Sequence, residues 1–208
     1  MKNGLLKHTY EFGAINRMTR ASDRIGNVAE YDYNGLGHRV GMRQGRRTEP
    51  VLKEPGLEGI LPEVWSKETE YILDLTKGYH NLLQKEENGS IQSYIWDREA
   101  LFMQEGEEFY SYLNDMQGSA MRLLSHSGQT KESYSYDEFG ADLSRNQRQY
   151  QPFGYTGYQK DDIAGTYYAQ AREYDAGAGR FISKDWDDFI NLYIISLQIY
   201  MHSVMIIH

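Results

Sequence analysis

Hydrophobic and polar residues alternate along much of this chain with the period of β-strands. The pattern is clearest over residues 71–75, 94–96 and 109–113, where aromatic and aliphatic residues dominate. Apolar residues fall on both parities, so we expect strands that are covered on both faces. The short segment 120–124 is also assigned to a strand, because turn residues bracket it at hairpin distance.

Three similar turn signals recur between these segments, over residues 10–13, 33–37 and 136–140. Each has an aromatic residue, an acid or amide that can turn the backbone, and a glycine able to take positive φ. The Asn88-Gly89 pair predicts a primed two-residue turn. The recurrence predicts an array of antiparallel hairpins that bury one another's faces.

Residues 48–66 interrupt this pattern with three of the four prolines and many acids. We therefore expect a surface excursion here that contributes no central strand. We predict five segments along the chain. They are repeat hairpins over 1–47, a Pro/Glu-rich excursion over 48–69, repeat-like strands over 70–150, a core element over 151–186 and an atypical apolar tail over 187–208.

Composition excludes several classes of function. The 208 residues include no cysteine, which rules out disulfides and thiolate metal sites, and the net charge of −8 argues against a nucleic-acid partner. The basic cluster of Arg39, Arg43, Arg46 and Arg47 precedes a Glu-rich segment and is interpreted as a locally balanced surface. No histidine pair has zinc spacing, and the Asp161-Asp162 pair is interpreted as a solvated loop tip, so no metal or cofactor is expected.

The two ends of the chain carry further expectations. The N-terminal residues show no apolar run of signal-peptide length, so the chain as written is expected in the cytoplasm. Near the C-terminus, 19 residues from Phe189 to Ile207 lack Asp, Glu, Lys and Arg. Their length permits a membrane helix, but interspersed polar residues and the lack of a basic anchor argue against one. A shifted reading frame over 198–208 is a further hypothesis for this tail.

The order of motifs resembles the end of an RHS (YD-repeat) protein running into its RHS-associated core domain. The repeats at 33–39 and 136–140 and the segments 71–83 and 112–119 carry this resemblance weakly, and the core element carries it strongly. The core residues that match are Pro152, Phe153, Gly154, Tyr155, Gly157, Gly165, Tyr167, Tyr168, Tyr174, Asp175, Gly179, Arg180, Phe181 and Ser183.

The resemblance implies a mainly β fold, in which antiparallel hairpin repeats form part of a spiralling sheet. In that family the sheet closes into a shell around a variable C-terminal toxin, and the parent proteins are secreted or injected. The function implied here is a shell fragment that encloses and presents a toxin, without activity of its own. Its partners would be the rest of the shell and that toxin, and free strand edges also predict self-association.

The resemblance also implies an aspartyl-type self-cleavage site to which Arg172 and Asp185 would belong. Two carboxylates held together could share a proton, with a guanidinium tuning their ionisation. The family's downstream Asp-Pro-x-Gly-Leu motif, which supplies the second acid, is missing, and only Asp187 and Asp188 follow. We therefore favour a structural ion pair between Arg172 and Asp185, with an autoproteolytic core as the alternative.

A carbohydrate-binding repeat module is a second alternative, because the 18 tyrosines could stack on sugars. Regular packing of tyrosines strand on strand is the interpretation we favour.

Overall fold

The computed structural model describes residues 8–13, 16–48, 63–144 and 149–183. Its main feature is an eleven-stranded antiparallel sheet in which every strand pairs with its neighbours in the chain. The strands are β1 (His8–Phe12), β2 (Met18–Asp23), β3 (Asn27–Tyr33), β4 (Arg39–Arg47), β5 (Glu63–Asp74), β6 (Asn81–Glu87), β7 (Ser90–Trp96), β8 (Ala100–Glu105), β9 (Glu108–Asn114), β10 (Ala120–Ser125) and β11 (Thr130–Ser133).

A second, smaller sheet follows after a single 3₁₀ turn at Tyr155–Gly157. It contains β12 (Gln159–Asp161), β13 (Thr166–Ala169), β14 (Arg172–Asp175) and β15 (Arg180–Phe181), again paired in chain order. The fold is therefore mainly β and antiparallel, as predicted. Among the described residues no helix is long and apolar enough to cross a membrane.

Four of the described turns are encoded by an Asp or Asn followed three residues later by glycine. At Asn34 the side-chain oxygen accepts the backbone N–H groups of Leu36 and His38, both at 3.0 Å. Gly37 then closes the turn at a φ of +79°. The same arrangement starts at Asp23, Asp115 and Asp137. The carboxylate or amide thus takes the place of a backbone acceptor and fixes where each strand ends.

Three turn predictions are confirmed, at residues 33–37, at residues 136–140 and at Asn88-Gly89, whereas the role predicted for the glycine of residues 10–13 is wrong. Asn88 and Gly89 both take positive φ, +49° and +83°, as a primed turn requires. In the first copy, residues 10–13, the glycine is not the left-handed residue; Asn16 is, at a φ of +56°. An asparagine tolerates this conformation because its side chain can hydrogen-bond locally.

The core lies between one face of the large sheet and the segment that leads into the small sheet. One cluster joins Tyr94, Met103 and Leu123 of the large sheet to Phe153. A second joins Met18 and Tyr31 to Ala164. The tyrosines of the repeat signals also bind backbone: the Tyr33 hydroxyl donates to the carbonyl of Met18 and that of Tyr136 to the carbonyl of Ala120. These contacts connect neighbouring segments, as the interpretation of the tyrosines as packing residues predicts, and the carbohydrate-binding alternative stays a hypothesis.

Two expectations about strands are wrong. Residues 48–66 were expected to contribute no central strand, yet β5 begins at Glu63 and pairs with β4 from there on. All the prolines of that segment precede Glu63, so the residues after Pro62 are free to alternate. The strands were also expected to be covered on both faces, but Ile95 and Phe102 remain 58% and 46% exposed. The small sheet covers only the other face. Residues 120–124 are strand, as predicted.

Candidate functional site

The most unusual group in the fold is a guanidinium buried between the two sheets. Arg39 is only 3% exposed, and its guanidinium carbon lies 4.1 Å from the ring centres of both Tyr31 and Tyr168. The two rings therefore sandwich the cation, an arrangement that favours Arg electrostatically when water is excluded.

Two carboxylates of the small sheet face this guanidinium. Arg39 Nη2 donates to Glu173 Oε1 at 2.5 Å, and Arg39 Nη1 lies 3.6 Å from Asp161 Oδ2. Thr166 donates its hydroxyl to the other oxygen of Glu173 at 2.9 Å. The backbone N–H of Arg39 donates to the Tyr168 hydroxyl. We refer to Arg39, Asp161, Glu173, Tyr31, Tyr168 and Thr166 as the Arg39 cluster.

Burial sets the ionisation of this cluster. Removal from water raises the pKa of Glu173 to about 7, and the nearby Asp161 carboxylate acts in the same direction, although Arg39 favours the charged form. Burial likewise raises the pKa of Tyr31 well above its usual value. One cation thus faces two acids, of which Glu173 titrates near neutral pH.

The contacts of the Arg39 cluster are those of a structural ion pair rather than those of a catalytic site. Asp161 and Glu173 are 4% and 2% exposed, and each already has partners. Asp161 Oδ1 accepts the N–H groups of Ile163 and Ala164, which shape the turn between β12 and β13. Arg39 and its two carboxylate partners thus connect β4 to the small sheet.

Two sequence interpretations are wrong here. Arg39 was assigned to a surface cluster, and Asp161 to a solvated loop tip. A register shift where Tyr33 pairs with Arg39 turns Arg39 to the face opposite Arg43. The rest of the surface interpretation holds for Arg43 and Arg47, which pair with Glu30 and Glu63.

Arg172 lies on the other side of the small sheet from this cluster. It precedes Glu173 on β14, so the two side chains point to opposite faces. Its guanidinium carbon lies 3.7 Å from the ring centre of Phe181. Asp185, its predicted partner, lies outside the described residues, as do Asp187 and Asp188. The Arg172–Asp185 ion pair therefore stays a prediction.

The aromatic residues of the core motif form two groups, one around Phe153 and one around Tyr174. Phe153 is 2% exposed and meets the rings of Tyr94 and Trp96 edge-on at 5.1 and 4.9 Å. Tyr155 stacks on Tyr174 at 6.4 Å, and Tyr174 meets Phe181 at 5.4 Å. These contacts connect the 3₁₀ turn to the last strands of the small sheet.

The remaining motif residues shape the backbone. Gly154 lies against the Tyr167 ring, where an added Cβ would come within 2.5 Å of a ring carbon. The Asp175 carboxylate accepts the N–H groups of Gly177 and Ala178. Three further glycines of the motif, Gly157, Gly165 and Gly179, take positive φ. The Pro152 carbonyl accepts the backbone N–H of Lys160, and the Ser183 hydroxyl accepts that of Glu173. Arg180 pairs with Asp175 across β14 and β15.

A polar cavity of about 450 Å³ lies beside the Arg39 cluster. Three lysines that line it are paired with acids: Lys67 and Lys85 both contact Glu87, and Lys160 contacts Asp142. In the described parts of the chain no three His, Asp or Glu residues are placed to hold a metal ion. Arg39, Asp161 and Gln149 also line this cavity, and Asp161 Oδ2 and Gln149 Oε1 are buried there without accepting a hydrogen bond.

The family follows from comparison with known proteins. The Teneurin YD-shell family model matches residues 81–204, which is more than half of the chain. The chain belongs to this family. The match continues past Asp185 to residue 204, so the family resemblance includes much of the tail that we regarded as atypical.

The curated relatives of this YD-shell chain are far longer than it is. It is 22% identical to the tRNA3(Ser)-specific nuclease WapA of Bacillus spizizenii and 21% identical to the tRNA nuclease WapA of Bacillus subtilis. Each match covers 85% of this chain but 10% of the relative. The chain therefore spans about a tenth of the length of these proteins.

Solved structures show the same fold. The TcdB2-TccC3 crystal structure matches with a TM-score of 0.57 at 15% identity, over 86% of this chain and 9% of that one. The Photorhabdus luminescens Tc holotoxin pore matches with a TM-score of 0.55 at 15% identity, over 86% of this chain and 9% of that one. At this identity the likeness concerns the fold alone, an RHS/YD-repeat shell.

Proposed function

We propose that this chain is a wall segment of a shell that encloses and presents a C-terminal toxin, and that it has no toxin activity of its own. The observation that carries the proposal is the continuous eleven-stranded meander with a small sheet held against one face by the Arg39 cluster. A sheet of this kind extends by adding strands at its edges, so it suits a wall that continues into further repeats.

The relatives support this role. The curated ones are named as tRNA nucleases, and the solved ones include TcdB2-TccC3 complexes. A segment that spans about a tenth of such a protein supplies part of the wall. Its partners would be the remaining shell strands and the toxin. The parent protein would act outside the producing cell or at its surface.

The described residues favour a structural role over an enzymatic one. The carboxylates of the Arg39 cluster are buried and face its guanidinium. Arg172 lies over the Phe181 ring. Self-cleavage through Arg172 and Asp185 is the alternative from the sequence.

The shell proposal can be tested on the full product of the native gene by limited chymotrypsin digestion. We expect the region downstream of residue 183 to be protected in the wild type and to become digestible in Arg39→Met. Arg43→Met is the matched control, because Arg43 is an exposed arginine of the same strand. Equal digestion of the downstream region in all three proteins would contradict enclosure.

The expected lack of toxin activity is tested on this chain alone. Purified chain incubated with bulk tRNA should leave the tRNA intact, and its expression should not slow bacterial growth. Cleavage of tRNA by the chain would contradict this part of the proposal without affecting the wall role.

A further inference from the structure

The polar cavity beside the Arg39 cluster holds two acceptors that receive no hydrogen bond. Asp161 is 4% exposed and accepts two backbone N–H groups on Oδ1, but its Oδ2 accepts none and lies 3.6 Å from Arg39 Nη1. Gln149 donates from Nε2 to the Phe153 carbonyl at 2.8 Å, so its buried Oε1 is left without a donor. Both side chains line the cavity. A ligand that brings N–H groups would therefore gain free energy by satisfying them.

Carboxylates outnumber cations in the described wall of the cavity. The carboxylates that line it are Glu87, Glu105, Glu132, Asp161 and Asp162. The cations that line it are Arg39, Lys67, Lys85 and Lys160. Two acids outside the lining, Glu173 and Asp142, pair with Arg39 and Lys160. Negative charge is therefore in surplus, even when Glu173 is protonated.

Two of these carboxylates accept hydrogen bonds from neutral groups only. Glu105 accepts the Tyr150 hydroxyl, and Glu132 accepts the Tyr150 backbone N–H at 3.0 Å. Neither acid forms an ion pair with a described residue, and the Lys131 ammonium lies over the Tyr150 ring, 4.6 Å from its centre. Gln149 directly precedes Tyr150, so its free oxygen belongs to the same end of the cavity as the two acids.

The size of the cavity and the rest of its wall suit a small organic molecule. Its volume of about 450 Å³ falls within the roughly 300–1,000 Å³ of small-molecule sites. Met42, Tyr71, Tyr150 and Pro152 supply apolar surface on which methylene groups can pack. The side chain of Asp162 is 50% exposed, so this residue lies where the cavity meets solvent.

Ordered water alone would not balance the charge of this wall. Water molecules can donate to Asp161 Oδ2 and Gln149 Oε1, and they can accept from Arg39 Nε, a buried donor without an acceptor. They bring no positive charge, whereas a nearby cation stabilises a partly buried carboxylate. An ammonium group supplies both the N–H donors and the charge.

We propose that the polar cavity binds a small aliphatic diamine or oligoamine. One ammonium group donates to Asp161 Oδ2, and another lies at the end formed by Gln149, Glu105 and Glu132. The methylene chain between them packs on the apolar part of the wall. This inference concerns a cavity within the chain itself and stands independently of the toxin-enclosing role.

Isothermal titration calorimetry of the purified full chain at fixed ionic strength tests the proposal. The probes are the linear diamines with four, six and eight carbons, and the controls are the monoamine and the diol of the same lengths. At least one diamine should bind with a stoichiometry of one and about tenfold more tightly than its monoamine, because it satisfies both ends of the cavity. The diols should give no binding heat. No saturable binding of any diamine, or equal affinity for a diamine and its control, would overturn the proposal.

Two variants should change the affinity for the diamine in opposite directions. Asp161→Asn keeps Oδ1 for the N–H groups of the turn but removes the charge, so binding should weaken about tenfold. Lys67→Gln removes a cation from the wall while Lys85 still pairs with Glu87, so binding should tighten several-fold. Glu68→Gln is the matched control, because it removes one negative charge on the opposite face of β5 and should leave the affinity unchanged.

Each variant also has an outcome that contradicts the proposal. Equal affinity in the wild type and Asp161→Asn would overturn it. If Asp161→Asn does not fold, Lys67→Gln decides alone, and unchanged or weaker binding there would overturn it. A loss in Glu68→Gln as large as that in Asp161→Asn would show that the net charge of the chain sets the affinity, which also contradicts a site in the cavity.

Discussion

Arg39 and Glu173 lie 134 residues apart in the chain and meet in a 2.5 Å ion pair that is almost completely buried. The first belongs to the large sheet and the second to the small one, so this pair is the main electrostatic link between them. Tyr31 and Tyr168 cover the guanidinium on both sides.

Replacing Arg39 alone should destabilise the fold strongly. Arg39→Met leaves Glu173 and Asp161 buried without a cation, and losing one partner of a buried pair typically costs about 3–5 kcal/mol. The free energy of unfolding, measured by urea denaturation, should fall by about that amount. The double variant Arg39→Met with Glu173→Leu should recover part of the loss, since it removes an uncompensated charge.

Arg43→Met is the control for this measurement. Arg43 pairs with Glu30 but has half of its side chain exposed, and exposed pairs contribute about 0–1 kcal/mol. If both arginine variants lost the same stability, the buried position of Arg39 would not be the cause.

Glu173 should make stability depend on pH in a definite direction. Its pKa of about 7 in the fold is above its usual value of 4.5. Between these values the folded protein binds the proton and the unfolded chain does not, so the contribution of Glu173 is greatest at acidic pH and falls as the pH rises from 4.5 to 7. Stability curves of the wild type and Glu173→Gln should therefore converge at low pH and differ increasingly towards pH 7.

The comparison with Glu173→Gln is needed because His80 acts in the opposite direction. Burial lowers the pKa of His80 from 6.5 to about 4, so its contribution is present above pH 6.5 and is lost as the pH falls to 4. This effect is shared by wild type and variant and cancels in their difference. A difference that does not change with pH would show that Glu173 does not titrate in this range.

Two glycines with nearly the same positive φ should respond very differently to alanine. Gly140 and Gly89 have φ values of +87° and +83°, so both substitutions incur the same strain. An added Cβ at Gly140 would come within 2.4 Å of a ring carbon of Tyr155, whereas at Gly89 it meets nothing within 4 Å. Gly140→Ala should lower the melting temperature by several degrees more than Gly89→Ala; equal shifts would mean that strain alone matters.

The structural interpretation of Arg172 and Asp185 predicts that the chain stays whole. Mass spectrometry after prolonged incubation should show one species at 24.2 kDa. A second fragment that disappears in Asp185→Asn would instead establish self-cleavage. Replacing both Asp187 and Asp188 by Asn would then decide whether either supplies the second acid.

Local features of this fold were predictable from the sequence, and the long-range ones were not. The turns at Asn34 and Asp137 depend on a side chain and a glycine within five residues, so the pattern of residue types reveals them. The ion pair of Arg39 joins positions with no common sequence signal. A register shift in β4 also separates Arg39 from its neighbour Arg43 and removes it from the surface where composition would place it.

The core motif likewise combines local features that the sequence predicts with a long-range contact that it does not. Its glycines and aromatics indicate a compact element, and Phe153 and Tyr167 are indeed buried. The role of Glu173 within the motif was missed, because a glutamate between Arg172 and Tyr174 resembles an ordinary exposed strand residue. Only the packing of β14 against β4 gives it a buried cation as partner.

The pairing of every strand with its neighbour in the chain has a consequence for synthesis. Each hairpin of the large sheet can form as soon as its second strand leaves the ribosome, since no strand waits for a distant partner. Contacts between the two sheets are different, and Arg39 is one example, because its counter-ion is made 134 residues later. The large sheet can therefore form before the small sheet does. When the small sheet packs against it, Glu173 reaches Arg39, which already lies on β4.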